Sequence, residues 1–232
     1  MSPLLTFALL LVVALMATLA AVTLAWMLYG WKTPDQLRGS ELHPCDVGEA
    51  RAQMAFSVIV PARHEERVIG RTLDGLAQQR HAGVEIIAVV GHDDPTTRRA
   101  AEAASRRHPG RIRVVVDDSW PKSKPRALNT ALEHVSGDVV AVFDAEDEVH
   151  PDLFSAVERH LLSTGADVVQ AGVQLVNFWS SWYAVHNTIE YFFWYRSRLH
   201  LHATVGATPL GGRRSSSAPT SYGGWADGTR SA

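Results

Sequence analysis

A repeated alternation constrains this chain most: a short apolar run, a polar break, then apolar residues at helical spacing. Phe56-Ser57-Val58-Ile59-Val60 reads as a strand ended by Pro61. Ile69, Leu73, Leu76 and Ala77 predict a helix from about Glu65 to Gln79. Val84 to Val90 is a second strand, closed by the polar turn Gly91-His92-Asp93-Asp94-Pro95. Thr96 suits the cap of a helix running to about Arg107. Ile112 to Val116 is a third strand, and Lys124 to Val135 a helix with Ala127, Leu128, Ala131 and Leu132 on one side. A fourth apolar run, Val139 to Phe143, precedes a helix opened by Pro151, and Val168 to Leu175 reads as a further strand. Strands alternating with helices across short turns predict an α/β fold, a mostly parallel sheet with right-handed crossovers.

The fourth run ends in Asp144-Ala145-Glu146-Asp147. Ligands of open α/β sheets bind outside the carboxyl ends of the strands. Carboxylates there offer hard oxygens, which suit Mg²⁺ or Mn²⁺ completed by substrate phosphates. Taken alone, the cluster is read equally well as a solvated acidic turn.

With 232 residues the chain holds one such domain plus extras. A net charge of -2 lends no support to nucleic acid as a partner, and Cys45, the sole cysteine, excludes an intrachain disulfide. Leu4 to Leu28 carries no charge and is long enough to cross a bilayer. Trp26, Tyr29 and Trp31 mark its end as interfacial aromatics do, and Lys32 and Arg38 place the following chain in the cytoplasm. Met1-Ser2-Pro3 lacks the basic start of a cleaved signal, so a retained anchor is expected. The expected organisation is a transmembrane helix at 4–28, a juxtamembrane linker at 29–54, the α/β domain at 55–212 and a separate tail at 213–232. This describes a single-pass protein of the cell membrane. The aromatic segment from Asn177 to His202 fits two readings, a core helix or an amphipathic helix at a membrane or acceptor surface.

Several stretches, in this order and spacing, resemble family 2 glycosyltransferases, the nucleotide-diphospho-sugar transferases of the GT-A fold. The resemblance is to membrane-anchored members related to cellulose and hyaluronan synthases. It is carried by Ser57 to Glu66, by Lys124-Pro125-Arg126-Ala127-Leu128-Asn129, by Gly137-Asp138, by Asp144-Ala145-Glu146-Asp147 with Pro151, and by Pro209-Leu210-Gly211-Gly212. It implies a UDP-sugar donor, Mg²⁺ or Mn²⁺, and a polysaccharide or lipid-linked acceptor. Pro61, Ala62 and Glu65 would border the base and ribose, Asp93 or Asp94 would meet the base, and Lys124 would lie by the nucleotide. Asp144 would approach the sugar or ribose side as the catalytic carboxylate, Glu146 and Asp147 would face the metal, and Gln170 and Gln174 would line the acceptor side. His64 replaces the family's usual Asn. Gly91-His92-Asp93-Asp94 replaces its Asp-Asp-Gly-Ser. The Asp that serves the family as general base, and the Gln-x-x-Arg-Trp motif, are not found in the chain as written. Two rivals stay open: a non-catalytic, membrane-tethered nucleotide-sugar-binding remnant, and a nucleotidyltransferase. The second would want glycines after the first strand, which Pro61-Ala62-Arg63-His64-Glu65 lacks.

From Arg213 the composition turns to Arg, Ser, Ala, Pro and Thr, and hydrophobic periodicity stops. That reads as a disordered tail. A second reading steps the frame back one base from Ser215, whereupon the codons can spell Val-Val-Val-Arg-Thr-Asp-Leu-Leu-Arg-Arg-Val-Gly-Gly-Trp-Asp. On that reading the domain is interrupted at its C-terminal end and its activity impaired.

Overall fold

The structure, a computed structural model, describes residues 2–32, 52–171, 173, 175, 176, 178–195, 199 and 215–217. Residues 33–51 of the expected linker, which include Cys45, and Gln174 and Pro209 to Gly212 lie outside these residues; the linker's first residues, Tyr29 to Lys32, continue the N-terminal helix.

The alternation folds as expected into an α/β unit. β1 (Phe56–Ala62), β2 (Val84–Gly91), β3 (Ile112–Asp117) and β4 (Val139–Val142) are separated by α1 (Ile69–Ala77), α2 (Pro95–Arg107) and α3 (Lys124–Leu132). α4 (Leu153–Thr164) leads to β5 (Val168–Gln170). The first four strands are parallel, in the order β3-β2-β1-β4. A parallel sheet is covered on both faces, which is why its strands read as unbroken apolar runs. Alternate residues serve alternate faces. Val58, Val60, Ile86 and Val90 pack under α1, α2 and α4 against Leu73, Ala101 and Phe154. Ile59, Ile87, Val89 and Val140 pack under α3 against Ala131.

Four local outcomes differ from expectation. β1 runs through Pro61, which pairs with Val89. Ile59 directs its backbone groups toward β4 and accepts from Phe143 N at 3.1 Å. Pro61 faces the same way two residues later, where β4 has already ended, so its missing N–H removes no ladder bond. α1 starts at Ile69 instead of Glu65, because His64 adopts φ 59° and Glu65 C=O first closes a turn onto Val68 N and Ile69 N. The cap of α2 is Asp94, whose carboxylate accepts Thr97 N at 3.1 Å, two residues before the expected Thr96. Finally, three residues of the stretch read as disordered, Ser215–Ser217, form β6, antiparallel between β4 and β5.

Two further helices form a unit of their own. α5 (Pro3–Lys32, at the N-terminus) includes Pro3–Tyr29, 27 residues of mean hydropathy 2.7 with no buried share. That is long and apolar enough to cross a membrane. The Thr18 and Thr23 hydroxyls bond back to the Ala14 and Leu19 carbonyls, which satisfies these two donors within the helix. α6 (Trp182–Phe193) is capped by Ser181, whose Oγ accepts Ala184 N at 3.1 Å. It turns Trp182, Val185, Ile189 and Phe192 to solvent along one face.

Candidate functional site

The strand order contains a reversal. The chain lays β2 and β3 outward on one side of β1, then returns to place β4 on the other side. The loops leaving β1 and β4 therefore diverge and open a crevice at their carboxyl ends. Pro61, Ala62 and Arg63 line it from β1, and Asp144 and Glu146 follow β4.

α3 closes this crevice from one side. Its first residue, Lys124, sets its ammonium against the Asp144 carboxylate. Ser123 is the N-cap but makes no side-chain cap, and Pro125 sits in the first turn. Helix N-termini carry partial positive charge and unmatched N–H groups. The start of α3 thus adds to the lysine.

The acidic loop divides its labour. Asp144 N donates to Asp147 Oδ2 at 2.9 Å, and Asp147 N donates to Asp144 O at 3.1 Å. Asp147 is buried and closes the loop with this oxygen, while Glu146 is exposed. Glu65 lies near enough to sense the cluster. Burial first, then the charges of Glu146, Glu66 and Asp144, raise its carboxyl above the ordinary range, with His64 opposing. Repelling carboxylates of this kind favour a cation. Among the described residues no three His, Cys, Asp or Glu groups converge to hold a metal. Asp144 and Glu146 are suitable hard donors, and a Mg²⁺-like ion commonly takes one or two carboxylates plus substrate phosphates. The donor set fits that mode of binding.

Asp93 and Asp94, the alternatives for meeting a base, differ in exposure: the Asp93 side chain is partly exposed beside Arg63 and Gly91 at the cavity, and that of Asp94 is buried. Asp94 is buried, 2% exposed. Its Oδ2 accepts His64 N at 2.6 Å and its Oδ1 accepts the Thr96 hydroxyl at 2.9 Å. Burial opposes its ionisation, but these donors and Thr97 outweigh it and hold the carboxyl far below the ordinary range. Asp94 fastens the loop after β1 to α2, and Thr97 Oγ1 assists by accepting Glu65 N at 3.0 Å. Asp93 pairs with Arg63 at 2.9 Å. Gln170 has both side-chain amide atoms buried without a hydrogen-bond partner.

A cavity of about 260 Å³ is lined by Pro61, Val89, Gly91, Asp117, Lys122 and Lys124, among others. Asp117 and Lys122 escaped the sequence reading. The rule that found Asp144 could have found Asp117, which also ends a parallel strand. Lys122 Nζ lies 3.3 Å from Asp117 Oδ2, and both side chains are buried. Burial opposes ionisation of Asp117, but Ser119, Thr130 and Lys122 hold its carboxyl below the ordinary range.

A parallel sheet with a switch-point crevice, a cavity beside it and a paired cation and carboxylate defines an open α/β domain with a candidate ligand site. The family described as glycosyltransferase-like family 2 matches residues 52–219, and the chain belongs to it. It is 30% identical over 100 residues to the amylovoran biosynthesis glycosyltransferase AmsB of Erwinia amylovora, covering 43% of this chain and 33% of that one. It is 29% identical over 143 residues to the beta-monoglucosyldiacylglycerol synthase of Synechocystis, covering 59% and 30%. The chain thus spans about a third of the length of these curated relatives. In fold it is similar to the mannosyltransferase PcManGT of Pyrobaculum calidifontis in complex with GDP-Man and Mn²⁺, with a TM-score of 0.59 at 21% identity, covering 88% of this chain and 55% of that one. It is also similar to glucosyl-3-phosphoglycerate synthase of Mycobacterium tuberculosis with Mn²⁺ and UDP, with a TM-score of 0.50 at 20% identity, covering 81% and 62%. The GT-A fold is the one these neighbours share.

Proposed function

We infer that this chain serves sugar transfer from a nucleotide-diphospho-sugar, a UDP-sugar, to a polysaccharide or lipid-linked acceptor at a membrane. One observation carries the reading: Lys124, which lines the cavity at the start of α3, meets Asp144 just after β4. Breaking the donor's glycosidic bond leaves negative charge on the departing diphosphate, and fixed positive groups stabilise that charge. Lys124 and the α3 N-terminus are placed to do this. Asp144 orients the Lys124 ammonium through their ion pair. Asp144 and Glu146 would hold a divalent cation, Mg²⁺ or Mn²⁺, which when bound would add Lewis-acid neutralisation of the same charge. The membrane part of the reading is supported by α5 and by the exposed apolar stripe of α6.

The test is release of nucleoside diphosphate from a panel of sugar donors, with Mn²⁺ and membrane extract as acceptor source. The expected result is release that EDTA abolishes and that Asp144→Asn lowers roughly 100-fold. Release unaffected by both would overturn the reading.

A further inference from the structure

We propose that Thr72, on α1, is a positioning residue of the acidic loop: its hydroxyl fixes the peptide that leads into Glu146, and with it the loop's grip on a divalent cation. This rests on the donor-site reading above. Thr72 Oγ1 donates to Ala145 O at 2.6 Å, and both residues are buried. Helical threonines can bond back to the carbonyl four residues earlier. Thr18, Thr23 and Thr188 do so in this chain. Thr72 departs from that habit. A hydroxyl has one proton to donate, and Thr72 gives it across to the loop.

The consequence lies in the loop's backbone. Ala145 stands between Asp144 and Glu146, and it shares the core with Ile69, Leu73 and Phe154. Its carbonyl belongs to the peptide that joins it to Glu146. A peptide is planar, so fixing the carbonyl fixes the direction in which Glu146 leaves. The buried methyl and the bonded carbonyl of Ala145 therefore set the two carboxylates on either side of it. The far end of the loop is tied to the same stretch of chain, just past the end of α1. Gln79 Nε2 donates to His150 O at 2.9 Å, Arg80 N donates to Pro151 O at 3.1 Å, and the Arg80 guanidinium meets Asp152 at 2.9 Å. The Arg71–Glu148 pair between them, 3.3 Å apart, is exposed on both sides and adds little. Thr72 thus holds the end that carries the cation's donors. Mg²⁺-like ions demand near-ideal octahedral geometry. Groups that orient metal-binding side chains typically account for roughly 10–100-fold in metal affinity.

A buried carbonyl needs a partner in any fold, so positioning is separated from stability by a control of the same kind. Ser105 Oγ donates to Ile112 O at 2.7 Å, at the start of β3. The experiment measures Mn²⁺ affinity by electron paramagnetic resonance for the full chain in detergent with saturating UDP, and UDP affinity without metal by calorimetry. Thr72→Val should weaken Mn²⁺ binding roughly tenfold or more, and Thr72→Ser should restore it to within about threefold of the wild-type chain. Ser105→Ala should leave Mn²⁺ affinity within about twofold, and Thr72→Val should leave metal-free UDP affinity within the same margin. Circular dichroism checks that each variant is folded. Thr72→Ala, which removes the hydroxyl without setting a methyl against the carbonyl, gives the same reading if the valine variant does not fold. Wild-type Mn²⁺ affinity in Thr72→Val or Thr72→Ala, an equal loss in Ser105→Ala, or no rescue by serine overturns the assignment while leaving the donor site intact. No Mn²⁺ uptake by the wild-type chain beyond that of UDP itself overturns the donor-site reading and the assignment with it.

Discussion

Asp94 and Asp144 both follow parallel strands, yet only one faces the crevice. Asp94 carries four donors from His64, Thr96 and Thr97 and has almost no exposed surface. Asp94→Ala removes a helix cap and a charge-assisted bond to the loop after β1, so it should cost about 2–3 kcal/mol of stability in a denaturant titration. The pH dependence has a fixed sign. Because the folded-state carboxyl lies below its unfolded value, its contribution is complete above the unfolded range near pH ~4 and is lost as pH falls further. Asp94→Asn should flatten that acid limb; an unchanged limb would count against the assignment. His64 presents the converse case. Its φ of 59° is one that Asn adopts more readily than other non-glycine residues, so His64→Asn should raise stability by on the order of 0.5 kcal/mol, read as a shift in melting temperature. Sequence could show that acidic residues follow β2, β3 and β4. It could not show which is consumed by a cap, because that depends on the loop after β1 folding back onto α2.

Gly137 begins the approach of β4 to β1. A Cβ there would lie 2.7 Å from Ala55 O and 2.8 Å from Ser57 N, backbone atoms that cannot yield. Gly137→Ala should therefore destabilise by roughly 2 kcal/mol or more, checked by chemical denaturation. The resemblance flagged Gly137-Asp138, and the structure supplies a packing reason: Asp138 Oδ2 also accepts Ala55 N at 2.8 Å. β6 poses a different problem. Three serines occupy a strand paired on both sides, a place that favours β-branched residues. The alternative frame writes Val-Val-Val at those positions. Substituting valine at 215, 216 and 217 together should raise stability by on the order of 1–2 kcal/mol in a thermal melt, and sequencing the locus would show whether the other frame stays open. A fall in stability would speak against the frame reading. The strands themselves were legible from apolar runs. Their ends were not: β1 extends through Pro61 because β4 stops short, a tertiary circumstance that local propensity does not encode.

On the scale of the whole molecule, the parallel sheet was readable because burial on both faces imposes unbroken apolar runs. The crevice was readable because such sheets bind ligands at one end. The Asp117–Lys122 pair was not, since it is assembled by a loop crossing between β3 and α3. Pro3–Tyr29 of α5 has no buried share and is long and apolar enough to cross a membrane. The chain should resist alkaline carbonate extraction from membranes, and recovery in the soluble fraction would contradict the anchor. The central claim concerns the crevice. Among the described residues no three metal-ligating groups converge there, so metal and nucleotide should bind together. Electron paramagnetic resonance of free Mn²⁺ tests this directly. The prediction is weak uptake by the chain alone, strong uptake when UDP or GDP is added beyond what the nucleotide binds by itself, and loss of that increment in Asp144→Asn. Uptake indifferent to both nucleotide and Asp144 would contradict it.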